Sequence, residues 1–340
     1  MVAIANPVPV DVRMNAGEAF LAADVGGTHV RVGLVQPGAD GHPEVLQYQK
    51  YACAQHAGLA EILGDFLRSL PGVPVRRGVI ASAGYPLADG SVITANLPWP
   101  LAPRRIAEQL GLAELRLVND FEAVAHAAAH VDASEVLQLT GPEQAPTGPV
   151  LILGPGTGLG AAVWIPAHPR PVVLPTEAGQ AALAAGNEEE LALLGHMLKQ
   201  RSHVSIEHAL SGPGLLNLYQ AHCAIAGYPP RFTAPGEVTA AALADTDVLA
   251  LRALRSFCAL LGSVVGDMAL LYGIQGGVYL AGGILPQLKQ FLPHSDFVHR
   301  FLNKGPMRQA LEGVPVKLVE HGQLGVIGAA SWYLDQVASD

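Results

Sequence analysis

Cysteine is scarce in this chain: Cys53, Cys223 and Cys258 are the three among 340 residues, and no two form a C-x-x-C pair. This excludes a disulfide framework and a cysteine-built zinc site, and fits a reducing cytoplasm. Charge is sparse too, at 14% of residues, with 20 basic against 29 acidic side chains and a net charge of −9. The basic residues are scattered and form no stripe, so a nucleic-acid surface is not expected. The 13 histidines stand at no metal-ligand spacing, so no protein-built metal site is expected. No charge-free apolar run reaches the roughly 18 residues that a membrane helix needs. The first 19 residues lack a basic segment leading into an apolar core, so they read as a loose arm and not as a secretory signal. Aromatic residues make up 6% and methionine numbers 5; neither forms a stripe, and both read as core.

Apolar residues are plentiful, at 50%, and the length suffices for two domains with their own cores. Glycine is concentrated where it draws attention. In Ala22–Val35 an apolar run enters Asp24, then Gly26-Gly27-Thr28, and then Val30, Val32 and Leu34 alternate with His29, Arg31 and Gly33. Period-two alternation around a glycine turn predicts a β-hairpin with a carboxylate at the end of its first strand. The two glycines are expected to supply positive φ, and their backbone N–H groups can approach phosphate oxygens. An ordinary tight hairpin is the competing reading. Leu151–Trp164 repeats the plan with Gly156-Thr157-Gly158 in the turn. Two such turns, each with a threonine, suggest two lobes that each offer a phosphate loop. No Gly-Lys-Ser/Thr follows either loop, and strands follow the glycines where a dinucleotide motif needs a helix.

Along the chain, strands are expected at Val45–Tyr51, Arg77–Ala83, Ser91–Asn96, Leu115–Val118, Val172–Leu174, Val278–Ala281 and Val316–Val319. Helices are expected at Leu59–Leu70, Pro103–Leu110, Phe121–His130, Glu188–Gln200, Ile206–Ala209, Pro213–Ala226, Val238 to about Tyr272, and Gly325–Gln336. Gly84-Tyr85-Pro86 reads as a turn, and the Pro- and Gly-rich Thr140–Pro149 as a soft boundary. The order is that of an α/β protein. The domains read as a small α/β domain over 20–130, completed by a terminal helix over 321–340, and a large α/β domain over 131–320.

Four further clusters could carry chemistry. Asn119-Asp120 ends a buried strand where a helix begins; carboxyl ends of strands are where ligands sit in open α/β sheets, and an Asp there can take a proton from a bound hydroxyl. The alternative is that Asp120 is a helix N-cap. Glu177 and Gln180 offer acceptors and a donor to sugar hydroxyls, or else belong to a solvated loop. Glu207 is a second such carboxylate, or the glutamate of a capping box. Gly282-Gly283 would let a flat base lie against backbone, or is a tight strand-to-helix turn.

The order of these motifs resembles the bacterial glucokinase family, of the sugar kinase, actin and Hsp70 ATPase superfamily. Val204–Gln220 (VSIEHALSGPGLLNLYQ) is close to that family's signature, and the resemblance runs over about residues 20 to 335. It implies two α/β domains around a cleft, a cytoplasmic homodimer, and Mg²⁺-ATP as phosphoryl donor to the 6-hydroxyl of a hexose, glucose first. By the same resemblance Asp24, Gly26, Gly27 and Thr28 form the first phosphate hairpin, and Gly156, Thr157 and Gly158 the second. Gly282 and Gly283 form the adenosine motif. Asp120 is the catalytic base, and Asn119, Glu177 and Glu207 are sugar ligands. The metal is expected to be held by phosphates and water, with Asp24 near by. The chain departs from the family at Gln180, where the sugar loop usually has His, at His29, where Asn is usual, and in its longer arm. The cysteine-rich zinc loop of the related repressor and kinase group is absent. The change at Gln180 leaves a kinase of mannose or of an N-acetylhexosamine as the alternative. A sugar-sensing transcription regulator would need a DNA-binding module for which the 19 leading residues leave no room.

Overall fold

The computed structural model describes residues 18–39, 41–70, 72–86, 92–93, 97–128, 136–144, 146–168, 171–319 and 323–337. Most of the expected arm, the end of the helix expected to reach His130, and all but Val92–Ile93 of the strand expected at Ser91–Asn96 lie outside these residues. The chain forms two compact units, Met1–His130 with Gln323–Asp340, and Val131–Gly322.

In chain order the first unit holds β1 (Phe20–Val25), β2 (His29–Pro37), β3 (Pro43–Ala52), α1 (Leu59–Arg68), β4 (Arg77–Ser82), β5 (Tyr85–Pro86), β6 (Val92–Ile93), α2 (Pro103–Leu110), β7 (Glu114–Val118) and α3 (Asp120–Ala128). The second holds β8 (Val136–Thr140), β9 (Val150–Pro155), β10 (Leu159–Ile165), β11 (Val172–Thr176), α4 (Glu188–Leu198), α5 (Gly212–Ala226), α6 (Pro235–Leu243), α7 (Val248–Leu271), β12 (Gly277–Leu280), α8 (Phe297–Leu302), α9 (Arg308–Glu312) and β13 (Val316–Val319). The last helix, α10 (Leu324–Val337), returns to the first unit.

The first unit is built on a sheet of order β3-β2-β1-β4-β7. Its hairpin pairs antiparallel, Asp24 opposite Arg31, while β1, β4 and β7 run parallel. The period of two sorts β1 between two cores. Leu21, Ala23 and Val25 face Leu59, Ile62, Leu63 and Phe66 of α1; Phe20 and Ala22 face Val326, Ala329 and Tyr333 of α10 and Ala123 of α3. The apolar spacing of α1 at i, i+3, i+4 and i+7 is what lays that helix on the sheet. Helix α2 starts on Pro103 and stops at Gly111, whose φ of 67° only glycine adopts without strain.

The second unit has the order β11-β10-β9-β12-β13-β8. Its first five strands repeat the first unit: a glycine hairpin with a third antiparallel strand on one side, and two parallel strands on the other. One continuous core unites β9, β10, β12 and β13 with α4–α8. Helix α7 is long and apolar enough to cross a membrane by length and composition, yet most of it is buried as the central helix of this core. Arg300 of α8 forms a buried two-pronged pair with Glu190 of α4, at 2.6 and 2.8 Å.

The structure corrects three expectations and adds a strand. The helix expected from Val238 to Tyr272 is two helices: Asp245 takes a left-handed φ of 53°, and the Asp247 side chain then caps α7 by accepting from the Leu249 and Ala250 N–H groups. Ile206–Ala209 is a turn, because the backbone at Ile206 and Glu207 donates to Ala181 and Gly179 of a neighbouring loop. Tyr85–Pro86 is a short strand paired with Val92–Ile93. Strand β8, unforeseen, covers the edge of β13.

Candidate active site

In the first unit Asp24 stands at the carboxyl end of β1, and Asn119-Asp120 at the carboxyl end of the parallel β7, with β4 between them. Loops at these strand ends are the ligand-binding edge of an open α/β sheet. Asp24 is half-buried and pairs with Arg31 at 3.0 Å. Burial pushes its carboxyl above the ordinary 3.8, and the Arg31 guanidinium works against that shift. The partner was legible in the sequence: in a hairpin of this register, residue 31 faces residue 24.

The turn after Asp24 is tied down from two sides. Gly26 N–H donates to the His29 carbonyl at 3.1 Å, and Cys53 donates its N–H to the Thr28 carbonyl and its thiol to the Gly26 carbonyl. Thr28 points to solvent at the tip. Contrary to expectation, the glycines of neither hairpin turn take left-handed φ. Their use is the missing Cβ. At Gly156 an added Cβ would meet nothing within 4 Å, so there is room for a ligand beside its Cα, although its own N–H and carbonyl are both paired within the protein.

The helix cap at β7 is Asn119 and not Asp120. The Asn119 Oδ1 accepts the N–H groups of Phe121 and Glu122 at 2.9 and 3.0 Å, which fills an N-cap role. Its amide NH₂ remains as the donor it can offer a ligand. Asp120 is therefore the first residue of α3, half-buried, with Oδ1 accepting the Phe121 N–H at 2.9 Å.

In the second unit four segments meet. Gly156 N–H donates to the Gly158 carbonyl at 2.7 Å and closes the second hairpin turn; Gly212 N–H, at the start of α5, donates to the Gly156 carbonyl at 2.8 Å. Gly282, at a φ of 147°, lies so close to this hairpin that a Cβ would sit 2.5 Å from the Pro155 carbonyl oxygen, whereas Gly283 faces open space. Gly282 is thus needed for packing, and Gly283 has the open backbone. The loop of Glu177 and Gln180 packs on the far strand of the hairpin: a Cβ on Gly179 would overlap the Leu159 carbonyl.

Glu207 joins these segments. Its Oε2 accepts the Leu159 N–H at 2.8 Å, its Oε1 accepts from Gln180 Nε2 at 3.2 Å, and its N–H donates to the Gly179 carbonyl. The capping-box reading of Glu207 is overturned, since Ser211 caps α5 by accepting the Gly214 N–H. His203 Nε2 stands 2.9 Å from the Gln180 carbonyl and, as the donor tautomer, holds the loop from below. Glu177 is exposed; its carbonyl accepts the Gln180 N–H at 2.9 Å, and its carboxylate makes no hydrogen bond or ion pair among the described residues. His203 was not singled out in the sequence, because its partner is a backbone carbonyl that no spacing reveals; Ser211 stood within the quoted Leu210–Gly214, and a serine just before Gly212-Pro213 is the spacing of a helix cap. Each unit therefore gathers its own share of the candidate residues at the carboxyl end of its parallel strands.

Comparison with known proteins points one way. The family model described as glucokinase matches residues 21–336. The chain is 57% identical over 322 residues to the glucokinase-like protein of Xylella fastidiosa (strain 9a5c), covering 94% of this chain and 96% of that one. It is 38% identical over 309 residues to the glucokinase of Chromohalobacter salexigens, covering 91% and 95%. Among solved structures, a glucokinase from an Antarctic psychrotroph matches with a TM-score of 0.79 at 32% identity, covering 93% of this chain and 98% of that one.

Proposed function

The chain belongs to the glucokinase family, and from that premise we propose that it transfers the γ-phosphoryl group of ATP to the 6-hydroxyl of a hexose, with glucose as the first candidate. Its fold is the α/β sugar-kinase fold of the actin-like ATPases. The observation that carries the reading is the division of labour at residues 119 and 120: Asn119 caps α3, so Asp120 is not spent as the cap.

In this reading Asp120 accepts the proton of the 6-hydroxyl as that oxygen attacks the γ-phosphorus. The bond from the γ-phosphorus to the β,γ-bridging oxygen breaks, ADP leaves, and the sugar phosphate forms. Glu177, Gln180 and Glu207 accept or donate to the remaining hydroxyls, with the Asn119 amide as donor. Thr28 and Thr157 and the turn N–H groups of Gly27, Thr28, Thr157 and Gly158 hold phosphate oxygens, while those of Gly26 and Gly156 close the turns. Gly283 offers open backbone to the adenosine. Mg²⁺, when bound with the nucleotide, supplies neutralisation of phosphate charge. No group of three metal-ligating side chains exists among the described residues, and Asp24 is already paired with Arg31. The residues therefore fit an ion held by phosphates and water with Asp24 in its outer shell. Family membership alone supports extending the reading to a cytoplasmic homodimer at the entry to glycolysis; light scattering on the purified protein tests the dimer.

Gln180 favours one second reading. A Gln where the family has His alters the donor and acceptor set at the sugar, so mannose or an N-acetylhexosamine is the alternative acceptor. Coupled measurement of ADP release over glucose, mannose, glucosamine and N-acetylglucosamine decides between them. Release with none of these sugars would overturn the kinase reading.

A further inference from the structure

Helix α10 carries Gly325 and Gly328 three residues apart, hence on one face. Glycine weakens a helix interior and is not asked for here by backbone conformation, since neither residue has a left-handed φ. What each glycine admits is a neighbour. A Cβ on Gly325 would lie 2.6 to 2.8 Å from Cγ, Cβ and Oδ2 of Asp24. A Cβ on Gly328 would overlap the carbonyl of Ala123 and lie 3.1 Å from the Val124 nitrogen, on the turn of α3 that follows Asp120. The grip on α3 continues down the helix. Trp332 Nε1 donates to Glu122 Oε1 at 3.0 Å, and His126 Nδ1 lies 3.2 Å from Asp335 Oδ2. One face of one helix thus seats the end of β1 that bears Asp24 and the helix that Asp120 begins.

We propose that α10 is the positioning element of both carboxylates, with Gly325 seating Asp24 and Gly328 seating Asp120. The inference rests on the assignment of Asp120 as base and of Asp24 beside the nucleotide. Gly328→Ala forces α3 off α10 by about 1 Å, a misplacement on the scale that costs roughly 10²-fold in rate. Its turnover number falls by that order while both Michaelis constants stay near wild type. Gly325→Ala gives a different defect: the Michaelis constant for Mg²⁺-ATP rises roughly tenfold, the worth of about one hydrogen bond, with sugar binding unchanged.

The test is steady-state kinetics on both variants beside Val326→Ala and Asp120→Asn, with circular dichroism and melting curves for each. Val326 is buried on the same helix but packs toward Gly33 of the sheet, so Val326→Ala lowers the melting temperature and keeps turnover. Gly328→Ala that folds with turnover within about twofold of wild type overturns the inference. So does an equal loss of turnover in Val326→Ala, which would mean that stability alone is being read. If Gly328→Ala does not fold, Trp332→Phe removes the bond to Glu122 without adding volume; it lowers turnover at unchanged Michaelis constants, and full turnover there overturns the inference. Asp120→Asn separates the two levels: if it loses turnover while Gly328→Ala keeps it, positioning alone fails; if Asp120→Asn keeps turnover, the base assignment fails and this inference with it.

Discussion

Glu207 reaches back 48 residues to accept the Leu159 N–H at 2.8 Å, one residue beyond the Gly156-Thr157-Gly158 turn. A carboxylate proposed to bind sugar is therefore also the clamp on a proposed phosphate loop. Removing its charge disturbs both. Glu207→Gln is expected to raise the Michaelis constants of sugar and ATP together, with a loss of about 1.5–3 kcal/mol in the specificity constant for sugar, the range for a hydrogen bond to a charged group. Glu177→Ala, at a carboxylate that holds nothing else among the described residues, raises the sugar constant alone. Kinetics with each substrate varied in turn checks the contrast; identical profiles would remove the clamp.

Gln180 Nε2 lies 3.2 Å from the same carboxylate, so in the proposed reading it would act on the sugar both directly and through Glu207. Gln180→His is expected to tighten glucose by about 1 kcal/mol, the net worth of one hydrogen bond. The check is the ratio of specificity constants for glucose, mannose, glucosamine and N-acetylglucosamine in both proteins. Unchanged ratios would mean that this position does not read the acceptor.

Thr28 and Thr157 stand exposed at the tips of the two hairpins. Thr28→Val and Thr157→Val are each expected to raise the Michaelis constant for ATP or to lower turnover. Sugar affinity by calorimetry should stay within about twofold, because neither side chain belongs to the sugar loop. A selective loss of sugar binding would reverse the assignment.

Acid should destabilise the fold through buried histidine. His222 lies between α5 and α7 with Nε2 3.0 Å from Ser256 Oγ, and burial holds its pKa below the ordinary 6.5, against the pull of Glu189. The unfolded chain then binds more protons as pH falls through 6.5, so this stability is complete above that value and is lost toward the lower native pKa. His29 and His208 are shifted the same way. Melting temperature against pH should fall on the acid side of 6.5 with a shallower slope in His222→Gln; an equal slope would clear His222 of the effect.

The hairpins, the strand that delivers Asn119-Asp120 and the helices α1, α2 and α5 were legible because period and punctuation agree there. The break at Asp245 was not, because apolar helical patterns on both sides of it outweighed the polar Asp245-Thr246-Asp247, whose last residue caps the second helix. The competing cap reading fell on Asp120, one residue late: Asp and Asn are alike favoured as caps, and only geometry shows that Asn119 takes both N–H groups. The glycine turns were read both for positive φ, which they do not take, and for the room a missing Cβ leaves, which Gly156 shows. The links through Leu159, Gly179, Gly325 and Gly328 join residues far apart in sequence, and no local pattern encodes them.

The central claim is that Asp120 is the base, and turnover of Asp120→Asn at saturating ATP and glucose tests it most directly, with glucose affinity measured by calorimetry on the same preparation. Asn keeps the shape and removes the proton acceptor. The account predicts an unchanged melting temperature, glucose affinity close to wild type, and turnover lower by roughly 10²-fold or more, as for a lost general base. Retention of more than about half the wild-type turnover, against that expectation for a lost base, would contradict it.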